Sequence, residues 1–83
     1  MSSISCEKLY SIYGNFLPSF VKLSQLAREY KVNFEVCVNP SGDISFVSRE
    51  YGEEDGQKVV YVNEVIQGKD YVTENSRKHV LRG

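Results

Sequence analysis

The sequence predicts an α+β fold: one main amphipathic helix packed on a small, three- to four-stranded, mostly antiparallel sheet, with short N- and C-terminal helices. Three observations lead there. Val32, Phe34, Val36 and Val38 alternate with Lys31, Asn33, Glu35 and Cys37, which is the period of a strand with one apolar face. Just before it, Phe16, Phe20, Leu23, Ala27 and Tyr30 recur at steps of four and three, drawing one stripe down a helix. After it, two more β-rich runs, Ile44 to Tyr51 and Lys58 to Ile66, follow stretches rich in turn-forming residues.

Ile4 to Tyr13 reads as a short first helix, capped by Ser3, with Leu9, Ile12 and Tyr13 sharing a face with Ile4 or Phe16. Gly14-Asn15 is expected to break it. The main helix then runs from about Phe16 to Tyr30, with Asn15 as its cap and Pro18 in the first turn, where a missing amide hydrogen costs little. Leu17, Val21 and Leu26 widen its stripe, while Lys22, Ser24, Gln25, Arg28 and Glu29 look outward. The stripe is expected to pack on the sheet, because two heptads are too few for a coiled-coil seam.

Lys31 to Val38 is the first strand. Asn39-Pro40-Ser41-Gly42-Asp43 supplies a preset φ at proline and a positive φ at glycine, so it turns the chain into an antiparallel hairpin with Ile44 to Tyr51. In that second strand Ile44 and Phe46 share one face, Val47 and Tyr51 the other. Gly52 to Gln57 has no apolar residue and reads as an exposed loop. Lys58 to Ile66 is apolar on both faces and so belongs centrally or under the helix. Gln67 to Asp70 turns again, Tyr71 to Thr73 fits a short fourth strand, and Glu74 to Arg82 reads as a short helix capped by Thr73 or Asn75 and stopped at Gly83.

The 83 residues make a single compact domain over residues 1–83, without repeat or linker. Such a chain buries only about 60% of its unfolded surface, so a dry catalytic pocket would consume much of its core. The composition, 41% hydrophobic and 25% charged, is that of a globular protein. A net charge of −1 argues against a general polyanion binder. Six tyrosines without a tryptophan suit an interface as well as a half-buried sheet. Cys6 and Cys37 are too few for a disulfide framework and read as free, partly buried thiols. The first residues carry Glu7 and Lys8 and no long apolar run, so neither a leader nor a membrane span is expected, and the location expected is cytoplasmic.

No constellation for catalysis stands out. His79 is the only histidine, no serine lies in a nucleophile-elbow pattern, and one histidine with two distant cysteines makes no metal cluster. Gly68-Lys69 lacks the upstream glycine of a phosphate loop, and no cofactor motif is present. Two charged groups remain. Glu50, Glu53, Glu54 and Asp55, with Tyr51 among them, form an acidic knob suited to a basic partner surface. Lys69, Arg77, Lys78 and Arg82, with His79, form a basic group suited to phosphate or RNA.

The order helix, strand, strand, strand, basic helix resembles a double-stranded RNA-binding domain. The resemblance rests on LAREYKVNFEV entering the first strand and on VIQGKDYVTENSRKH, similar to that family's third strand and basic helix start. It implies phosphate contacts at Arg77, Lys78 and Lys69. The chain departs from the family in having no histidine within NPSGD and in the added acidic residues after Tyr51. The function expected is a non-enzymatic protein-binding module, a regulator or inhibitor that docks on a larger protein. Sheet edges at Ile44 to Tyr51 or Tyr71 to Thr73 offer strand pairing to such a partner. Small regulators of this type are common among viral and mobile-element proteins. RNA binding through the basic group is the alternative, and a homodimer fits either reading because a thin core gains from covering an open sheet edge.

Overall fold

The computed structural model describes residues 3–82. Its elements are α1 (Cys6–Tyr30), β1 (Asn33–Val38), β2 (Ile44–Glu54), β3 (Gln57–Gln67) and β4 (Val72–Val80). The fold is therefore α+β, one helix followed by a four-stranded antiparallel meander in the order β1-β2-β3-β4.

The two expected N-terminal helices are one helix of 25 residues. Ser5, not Ser3, is the N-cap: its Oγ accepts from the Lys8 amide at 3.1 Å. Gly14-Asn15 does not break the helix, because the apolar stripe keeps its phase through it. Leu9, Tyr13, Phe16, Phe20, Leu23, Ala27 and Tyr30 continue the alternating steps of four and three without a slip. Pro18 lies in the helix interior, four residues after Gly14. A proline ring crowds the carbonyl four residues back, and glycine at that place gives the backbone room to yield. Even so, relative to alanine, an interior glycine costs about 1 kcal/mol and an interior proline about 3 kcal/mol. At the other end Lys31 takes the left-handed conformation at φ 57°, and the Lys31 and Val32 amides both donate to the Ala27 carbonyl.

The β1–β2 hairpin forms as the sequence predicts. Gly42 supplies φ 89°, and Asn39 Oδ1 accepts from the Asp43 amide at 3.0 Å. The expected exposed loop from Gly52 to Gln57 is mostly strand. Glu54 pairs with Gln57 across a two-residue turn, Asp55-Gly56, whose φ values of 52° and 76° are those of a type I′ hairpin. The expected C-terminal helix is also absent: residues 72–80 pair with β3 over its whole length. A helix there would have had no apolar stripe to bury, whereas pairing satisfies the second edge of β3. Tyr71 to Thr73 is thus the beginning of a nine-residue strand. Gly83, read as a helix stop, lies outside the described residues. β3 is an inner strand, as its two apolar faces require. β2 is inner from Ile44 to Arg49, where β1 covers it, and open on that side only from Glu50 to Glu54; the edge strands are β1 and β4.

The register sets two faces. One carries Phe34, Val36 and Val38 of β1, Ile44 and Phe46 of β2, and Val65 of β3; α1 lies on this face, with Leu23 beside Val36, Ile44, Phe46 and Val65. The other carries Val47, Val60 and Val62, a buried cluster whose cross-strand neighbours are Arg49, Glu64, Arg77 and His79. Long polar side chains shield these valines with their aliphatic stems. The helix uses only its last turns for packing: Leu23, Leu26 and Ala27 are partly buried, and its backbone nears the sheet only at β1. No residue of α1 is fully buried. The molecule measures 50 × 29 × 23 Å.

Lys31 occupies a conformation that a side chain makes unfavourable and glycine does not. Lys31→Gly is expected to raise the unfolding free energy by about 1 kcal/mol in urea titration. An unchanged or lowered midpoint would mean that the lysine side chain compensates for its backbone.

Candidate functional site

The β2–β3 hairpin projects the acidic residues and brings one basic residue to them. Strand alternation divides the five expected docking residues: Glu50 and Glu54 stand on the helix-bearing face, Tyr51 and Glu53 on the other, and Asp55 in the turn itself. Lys78 of β4 lies in register with Tyr61 of β3 and Glu50 of β2. Its Nζ donates to Glu54 Oε1 at 2.9 Å, and the Tyr61 hydroxyl donates to Glu54 Oε2. Gly52 makes room for this: a β-carbon there would stand 3.3 Å from the Tyr61 ring.

The hydrogen bond from Tyr61, then that from Lys78 and its charge, holds the Glu54 carboxyl below its ordinary pKa. The same bonds raise the Tyr61 phenol and the Lys78 ammonium above theirs, with Glu54 as the leading cause in each. The cluster is solvent-exposed, so it fixes side-chain positions more than it adds stability. The Glu54 contribution is present above the ordinary carboxylate range and is lost as pH falls through its lowered value. The Tyr61 and Lys78 contributions are present below the ordinary phenol and ammonium values and are lost as pH rises through their raised ones.

Among the described residues, the side chains of Glu50, Glu53 and Asp55 make no hydrogen bond or ion pair within the chain. Tyr51 is 59% exposed and, with Glu53, Lys58, Val59 and Leu81, lines a shallow groove of about 380 Å³ beside the hairpin end. Leu81 is held there by its amide, which donates to the Lys58 carbonyl at 2.8 Å. An apolar floor of Tyr51, Val59 and Leu81, rimmed by Glu53 and Lys58, can take an amphipathic side chain from a partner.

The basic group is dispersed. Lys78 is tied to Glu54, and Arg77 stands on the opposite face, 3.8 Å from Glu64. Lys69 lies in the β3–β4 turn and Arg82 beyond the far end of β4, a separation of roughly 30 Å at strand rise. The basic helix implied by the resemblance to double-stranded RNA-binding domains is a strand. His79 is exposed on β4, opposite Val60. Cys6 and Cys37 are free, and both are exposed rather than partly buried. Among the described residues, no three histidine, cysteine or acidic side chains converge as a metal site. Among the described residues, no helix is long and apolar enough to cross a membrane.

A second surface lies on α1. Leu9, Tyr13, Phe16 and Phe20 are exposed, and with Cys6, Tyr10 and Ile12 they line an apolar groove of about 460 Å³. The rings lean on one another, with centroids 5.7 Å apart for Tyr13 and Phe20 and 6.2 Å for Phe16 and Phe20. The sequence signal was the stripe itself, concealed by dividing the helix at Gly14. Comparison with protein-family models, with characterised proteins and with solved structures finds no significant match.

Glu54→Gln removes the charge that raises Tyr61. Its phenol titration, followed by NMR of the ring carbons, is expected to move down toward the ordinary tyrosine value, and that of Lys78 toward the ordinary lysine value. Unmoved midpoints would show that Glu54 does not hold either group in solution.

Proposed function

We propose that the protein is a non-enzymatic binding module, a small regulator or inhibitor that docks on a larger protein through the end of its β2–β3 hairpin. The observation that carries this reading is the division of labour among the acidic residues. Glu54 is spent on holding Tyr61 and Lys78, whereas Glu50, Glu53 and Asp55 make no hydrogen bond or ion pair among the described residues, and Glu53 lines the groove with exposed Tyr51 and Leu81. Charges so placed steer the encounter and fix register, and the aromatic ring supplies the apolar anchor. Size and single-domain build support a regulator of viral or mobile-element type acting in the cytoplasm. The RNA alternative has less support, because Arg77 and Lys78 face acidic neighbours and Lys69 lies far from Arg82.

The test is affinity capture from cell lysate with and without nuclease, comparing the natural chain with Glu53→Lys/Asp55→Asn, since asparagine suits the positive φ at Asp55. This pair leaves the Glu54 cluster intact. One stoichiometric protein is expected to survive nuclease with the natural chain and to be lost, or bound roughly tenfold more slowly at low salt, with the variant. Recovery that vanishes with nuclease would favour RNA, and equal capture by both chains would remove the hairpin end from the reading.

A further inference from the structure

The accessible surface is 7240 Å², against roughly 5,000 Å² for a compact chain of 9.5 kDa. The radius of gyration is 16.1 Å, against about 12 Å for a compact chain of this length. Part of the excess lies where α1 leaves its sheet. Leu9 is 57% exposed, Phe16 53% and Phe20 40%, and the sheet patch next to Leu23 continues the apolar surface, with Phe46 36% exposed. From Leu9 to Val21 there is no charged residue.

We propose that a second copy of this chain covers this surface, through a two-fold interface built on Leu9, Tyr13, Phe16 and Phe20 and extended onto the sheet by Val36 and Phe46. Area is the first argument. Covering half of the excess of roughly 2,000 Å² per chain would bury roughly 2,000 Å² in a pair, the lower end of the range of permanent homodimer interfaces. Charge is the second. The uncharged run offers nothing to select an acidic or basic partner, and a net charge of −1 lets two copies meet with little repulsion. Helix formation is the third. The projecting half contains Gly14 and Pro18, both unfavourable in a helix interior, and its own sheet does not pack against it. A partner stripe supplies the missing packing, and a patch that meets itself closes the assembly at two. The hairpin end shares no residue with this interface, so the interface is independent of the docking reading.

Sedimentation equilibrium of the full chain across the micromolar range tests this. The expected mass is about 19 kDa, twice the 9.5 kDa of one chain. Phe20→Glu is expected to raise the dimer dissociation constant at least roughly a hundredfold, and Phe16→Ala at least tenfold. Gln25→Glu, on the outward face, leaves it unchanged. A mass of one chain at every concentration overturns the proposal, whether the stripe then binds phosphatidylcholine–phosphatidylserine vesicles or a different protein. A dimer indifferent to both phenylalanine substitutions overturns it too, since the contact would lie elsewhere, as at the β4 edge. If Phe20→Glu fails to fold, the mass of the natural chain and the Phe16→Ala variant still decide.

Discussion

The helix carries more apolar stripe than its own sheet can cover, and the rest of the molecule follows from that mismatch. The stripe from Leu9 to Tyr30 spans three heptads. A 25-residue helix is about 37 Å long. The sheet meets only its last turns, so Leu23, Leu26 and Ala27 find partners in the chain and Leu9, Tyr13, Phe16 and Phe20 do not. Helices gain most of their stability from packing one face, and an interior proline sharpens the need. Surface area, shape and helix propensity therefore point to the same partnered state.

The sheet shows how a small chain manages without a deep core. Among the described residues only Val47, Val59, Val60 and Val62 are buried, and three of them lie on the face away from the helix, under arginine, glutamate and histidine neighbours. Backbone pairing does the rest: β3 is bonded along both edges by β2 and β4. The outermost strand, β4, is exposed throughout, and its Glu74, Arg77, Lys78 and His79 discourage further strand addition. Lys78 also links this edge to the hairpin end through Glu54, which leaves neighbouring carboxylates turned to solvent.

Much of the architecture was legible in the sequence, because alternation at Val32 to Val38 and at Ile44 to Tyr51 reports the strand period directly. The β1–β2 turn was legible because Pro40 presets its own φ and Gly42 admits the positive φ the turn needs. What was not legible depended on partners distant in sequence. The segment from Val72 to Val80 has capping residues and end charges that suit a helix, but the open edge of β3 decided its conformation. Gly14-Asn15 reads as a break and Pro18 as a first-turn residue of a second helix, yet the phase of the stripe across them carried more weight. At the hairpin end Asp55-Gly56 was a turn signal hidden in a polar run. The acidic residues were found individually, but the bond from Lys78 to Glu54 joins residues that sequence distance had placed in separate functional groups.

The most direct measurement is amide hydrogen exchange along α1 as a function of chain concentration. If a partner stripe orders the projecting half, amides from Leu9 to Phe20 slow as concentration rises through the association range, while those of β2 and β3 do not change. Exchange in that half that is independent of concentration, fast or slow, would contradict the account, because the helix would then owe its order to nothing outside its own chain.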